Sequence, residues 1–109
     1  MKSLLMGLIL FCALPPQAMA SSTGAGVIVR VLVTDDDHAF FEQLGTRSAK
    51  PACVTTDRWV IDTSTTAGQA LLAQILSAHA TGQQVYISGK ANCVLWGDSE
   101  TVAGILTAD

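Results

Sequence analysis

Residues of a type and spacing that could do chemistry fall in the runs Asp35-Asp36-Asp37-His38 and Trp96-Gly97-Asp98-Ser99-Glu100, and in the pair Cys53 and Cys93. Three carboxylates beside an imidazole invite a metal. A helix-flanked calcium loop, however, needs glycine at its sixth position and glutamate at its twelfth. Counted from Asp35, those positions hold Phe40 and Thr46. The run therefore reads as a solvated turn, in which short acidic side chains cap their own backbone. Apart from Cys12 in the apolar run near the start, two cysteines and two distant histidines, His38 and His79, are too few for zinc. No metal and no cofactor are expected. There is no Gly-x-Ser-x-Gly elbow, no His-Glu-x-x-His and no phosphate loop. Gly24-Ala25-Gly26 precedes a β-rich run instead of following one, so it is not a dinucleotide fingerprint. No catalytic residue is assigned, and the chain reads as a non-enzyme.

Trp96 is more informative. A tryptophan beside Asp98, Ser99 and Glu100 can act as a sugar platform. Its ring would cover the apolar face of a pyranose while the hydroxyl and carboxylates bind sugar hydroxyls. The competing reading is that Trp96 plugs one end of a barrel. Both stay open from the residues alone.

The elements that position these residues follow a leader. Lys2 precedes an apolar run from Leu4 to Leu14, Pro15 and Pro16 interrupt it, and Ala18-Met19-Ala20 sets small residues at −3 and −1 of a cut before Ser21. That order of charge, apolar core and small residues is read by the export machinery. Residues 1–20 are therefore expected to be a signal peptide, residues 21–26 a flexible leader and residues 27–109 a single domain. The apolar run, about 11 residues, is short of the roughly 20 needed to cross a bilayer. No membrane span is expected, and the protein is placed in the periplasm or outside the cell. Beyond Lys2, five basic residues face nine acidic ones, with a whole-chain formal charge of −3. Without a basic patch, nucleic acid is not an expected partner. In an oxidising compartment Cys53 and Cys93 are most simply one disulfide. By the chain-entropy estimate, closing that loop contributes roughly 3–4 kcal/mol.

Val27 to Thr34 is dense in β-branched residues and reads as a strand. Asp35–Asp37 turns the chain, and Ala39 to Leu44 returns with Phe40 and Phe41 on opposite sides. Gly45 to Pro51 reads as a polar loop. Cys53 to Thr63 holds two strand-like pieces, the second centred on Trp59, Val60 and Ile61. A helix is expected over Ala67 to Thr81, with Leu72, Ile75, Leu76 and His79 on one face and Leu71 and Ala78 beside them. A threonine caps its start and Gly82 its end. Strands follow at Gln84 to Ser88, Cys93 to Trp96 and Thr101 to Thr107. Short strands around one helix indicate an α+β domain or small, partly open β-barrel.

The order of several short motifs resembles the binding subunit of AB-type pentameric bacterial toxins, most closely the subtilase-cytotoxin kind. They are Ala52-Cys53, Arg58-Trp59-Val60, Gln69-Ala70-Leu71, Thr81-Gly82-Gln83 leading into Val85-Tyr86-Ile87, and the ending Val102 to Thr107. Cys93-Val94-Leu95-Trp96 is similar to the cysteine–tryptophan ending of cholera-like binding subunits. The resemblance implies an OB-fold barrel of five to six strands with one helix, a homopentameric ring, a cell-surface glycan as ligand and a separate catalytic A subunit. Glu42 would match a sugar-contacting glutamate of that family. Two features depart from it. Ala25 stands near the position of the serine that grips sialic acid, and Cys53 must reach a distant Cys93. The alternative is a monomeric periplasmic OB-like domain with a structural or protein-binding role.

Overall fold

A computed structural model describes residues 20–109; most of the expected signal peptide, residues 1–19, lies outside the described residues. The elements in chain order are β1 (Ser22–Thr23), β2 (Ile28–Val33), β3 (His38–Gln43), β4 (Arg47–Ser48), β5 (Trp59–Asp62), α1 (Thr66–Thr81), β6 (Val85–Gly89) and β7 (Glu100–Thr107). They form one mixed seven-stranded sheet in the order β2-β3-β5-β7-β6-β1-β4. β5 and β7 run parallel, and every other pairing is antiparallel. The α+β class with one helix is present, but the sheet is not closed. A lone bridge, Gly26 to Val85, ties the segment before β2 to β6 through hydrogen bonds of 3.1 and 2.9 Å.

Alternation explains the layering. Phe41, Trp59 and Ile61 project inward with Ile28, Val85, Ile87 and Val102, and α1 closes that core with Ile75 and Ala78. Phe40 and Val60, one step out of phase, lie on the other face of β3 and β5, where they pair across the strands. In α1, Thr65 Oγ1 accepts the Gly68 N–H at 2.9 Å, and Gly82 ends the helix at φ 71°. The left-handed conformation there suits a residue without Cβ.

Along the strands and loops the structure differs from expectation in four places. Residues 21–26 are not free: Ser22–Thr23 form β1, and Ser21 and Thr23 are buried. Arg47–Ser48, inside the expected polar loop, pair with β1 as β4. Of the two pieces expected between Cys53 and Thr63, only Trp59–Asp62 is a strand. Cys93 to Trp96 is loop, because the disulfide and the turn closed by Ser99 N–H on the Trp96 carbonyl (3.1 Å) hold it away from a neighbouring strand.

The helix also presents a rotated face. Gly68, Ile75 and Ala78 are buried, Leu71 and Leu72 partly so, while Leu76 is 43% exposed. Small residues let α1 approach the sheet closely; a Cβ on Gly68 would overlap the Asp62 carbonyl. The contact therefore follows the small residues more than the largest ones. His79 lies at the edge of this face, its Nδ1 3.0 Å from the Ile28 carbonyl oxygen.

Candidate functional site

The disulfide joins Cys53 to Cys93, with Cα atoms 6.2 Å apart, and so ties the loop before β5 to the loop between β6 and β7. The Asp98 carbonyl strengthens the tie by accepting the Thr55 N–H at 3.2 Å. This places Trp96 over the outer face of β3. Its ring meets Phe40 edge-on at 5.1 Å and His38 at 5.3 Å. Phe40 is thereby 2% exposed, whereas Trp96 keeps 38% of its surface open. Trp96 thus covers an outer sheet face, outside the core cluster, and still offers surface to solvent.

Arg58 completes the patch. It precedes buried Trp59 by one residue, so alternation sends it to the face of Phe40, whose ring it overlies at 4.7 Å. Its Nη2 donates to both oxygens of Asp98, at 3.1 and 3.4 Å. The Ser99 hydroxyl also donates to Asp98, at 2.8 Å. That hydroxyl, more than the opposing desolvation and the Arg58 guanidinium, holds the Asp98 carboxyl below the ordinary aspartate range. An aromatic ledge, an anion and a fork of donors therefore stand together at the surface.

Of the residues assigned from the sequence, Trp96 and Asp98 come together here. Ser99 and Glu100 are fully buried and present nothing to an external ligand. Glu100 points instead to the opposite side of its strand. There its Oε1 accepts Arg47 Nη2 at 2.8 Å, and its Oε2 accepts the backbone N–H groups of Ser21 at 3.1 Å and Ala91 at 2.9 Å. Burial is the largest influence on its carboxyl and pushes the pKa up. The hydrogen bonds from Ser21, Arg47 and Ala91 outweigh it and leave the pKa below the ordinary glutamate value. Gly89 is required beside it, since a Cβ would overlap that carboxylate. Glu42 pairs with Arg30 at 3.0 Å and lines a separate recess with Leu44, Arg47 and Asp57.

Sequence reasoning did not assign Arg58 to the site. Its signal was available: a lone cation next to an apolar strand, opposite in parity to Trp59. The acidic run forms the expected turn between β2 and β3, with Thr34 N–H on the His38 carbonyl at 2.9 Å and Asp37 at φ 68°. Thr34 also donates to Asp36, which, with the His38 hydrogen bond, lowers the Asp36 carboxyl despite opposing desolvation. Among the described residues no group of three His, Cys, Asp or Glu side chains is placed to hold a metal. None of the described helices is long and apolar enough to cross a membrane. No family model, no curated protein and no solved structure matches this chain.

Proposed function

We propose that this is the non-catalytic binding domain of an exported protein and that it takes a carbohydrate on Trp96, with Arg58 and Asp98 as polar contacts. The observation that carries the reading is the meeting of Trp96, from the β6–β7 loop, with His38, the first residue of β3 beside the β2–β3 turn. Read as an OB-type barrel, β2, β3, β5, β6 and β7 are its five principal strands. The helix then falls between the third and fourth, and the Gly26–Val85 bridge lies where the first would meet the fourth. In such barrels the ligand is held between the first hairpin turn and the loop joining the last two strands. His38 opens β3 at the end of the first, and Trp96 lies in the second. Fold analogy sets only the place; the open indole and the Arg58–Asp98 pair supply the chemistry.

The test uses the two tryptophans. Trp59 is buried under Arg47 and Trp96 is open, so a sugar seated on the ledge shifts Trp96 emission. A glycan array identifies the ligand, and Trp96→Ala is expected to abolish binding while the far-ultraviolet circular dichroism stays unchanged. Full binding by that variant would overturn the reading, and so would an array without hits.

The toxin-like form of this reading adds a ring of five copies and a catalytic partner chain. A second form, the monomer, is favoured by one observation. The free edge strand β2 carries a bulge between Val29 and Leu32, with Arg30 at φ 54°. A bulged, charged edge opposes strand addition by a neighbour. Light scattering on the disulfide-intact domain decides between one and five copies.

A further inference from the structure

Ser21 is a surface-type residue in an unexpected place. It is fully buried, its N–H is given to Glu100 Oε2, and its carbonyl accepts the Gly89 N–H at 2.9 Å. The preceding Ala20 is exposed. The bond between them is the one that small residues at −3 and −1 mark for cleavage.

We propose that hydrolysis of the Ala20–Ser21 bond turns the Ser21 N–H into an α-ammonium paired with Glu100, so that removing the leader completes a buried ion cluster of Ser21, Glu100 and Arg47. Water adds across the amide: Ala20 leaves as a carboxylate, and the Ser21 nitrogen takes up the protons that make it an ammonium. A neutral N–H on Glu100 Oε2 thereby becomes a charge-assisted donor, a class roughly twice as strong. The new group sits where Ala20 leaves it open to water on one side, which limits the desolvation cost of the added charge. Glu100 from β7 and Arg47 from β4 are the charged side chains of this cluster; Lys50 and Lys90, in the adjoining segments, are exposed. The geometry also orders events. With Ser21 buried and both its backbone groups bonded, the cut must precede the docking of β1.

This inference rests on the export reading of residues 1–20 and is independent of what Trp96 binds. The experiment expresses the full chain with its leader in a bacterial host, collects the exported protein and measures its intact mass. The α-amino group is then titrated by nuclear magnetic resonance. A mass beginning at Ser21 is expected, with an amine pKa raised by about one to three pH units, the effect of an opposite charge at this range, above the about 7.7–8.0 of an unperturbed terminus. Inserting Gly-Gly between Ala20 and Ser21 moves the amine away and returns it to that ordinary value while the fold persists. Glu100→Gln abolishes the rise in any fraction that folds. A mass beginning at another residue removes the premise. An ordinary amine pKa in the Ser21 form, unchanged by the insertion, overturns the pairing itself.

Discussion

The molecule contains the same device twice, in opposite surroundings. On the outer face, Arg58 lies over Phe40 at 4.7 Å and pairs with Asp98 at 3.1 Å. On the other side, Arg47 lies over Trp59 at 3.7 Å and pairs with Glu100 at 2.8 Å. Asp98 and Glu100 are two residues apart, yet the Asp98 side chain is 38% exposed and that of Glu100 is 0% exposed. Ionic chemistry is therefore not what separates an open surface pair from a structural joint here. Water is. The exposed pair can exchange its partners for a ligand's hydroxyls at little cost. The buried pair is held by two further backbone donors and has nothing to exchange with.

The largest expected effect breaks the buried member. Arg47→Ala removes the side-chain partner of the buried Glu100 carboxylate and should destabilise the domain by about 3–5 kcal/mol, read as a shift of the denaturant midpoint. A change no larger than that of an ordinary surface substitution would show that the two pairs are alike after all.

Acid sharpens the comparison. The Glu100 carboxyl is lowered on folding, so the folded chain holds fewer protons than the unfolded one. Its contribution is complete above the ordinary glutamate range and is lost as the pH falls toward the folded value. Glu100→Gln should be less stable at neutral pH but show a flatter loss of stability in acid. Asp98→Asn should alter the acid limb in the same direction and by less, because water screens that group. Equal acid limbs for the two variants would remove the distinction.

The smallest effect on stability is expected from Arg58→Ala, because an exposed ion pair contributes little. The variant should nonetheless weaken carbohydrate binding, as measured by titration of the Trp96 emission. A large fall in the unfolding midpoint instead would make Arg58 a structural residue and leave the ledge with Trp96 and Asp98 alone.

Much of this organisation is legible without coordinates. The α1 caps at Thr65 and Gly82, the turn at Asp35–Asp37, the opposite faces of Phe40 and Phe41 and the Cys53–Cys93 pairing each follow from local chemistry or simple parity. Those features depend on neighbours in the chain, or on there being only two cysteines beyond residue 20 to join. β1 and β4 were not legible, since two-residue strands have no period to detect and exist only because β6 offers an edge to β1 and β1 offers one to β4. The helix face is misjudged by size, because the approach of α1 to β5 is decided by Gly68 against the Asp62 carbonyl.

The sequence by itself determines a small, disulfide-stapled α+β chain with an aromatic and acidic turn at Trp96–Glu100. Tertiary structure alone decides what that turn does. Asp98 lies in the turn before β7, where Thr55 and Arg58 hold it outward, whereas Glu100, the first residue of β7, points inward to Arg47 and Ser21. Residues two apart in sequence thus end in water and out of it, and burial is a property of what packs around a side chain, which no local pattern carries.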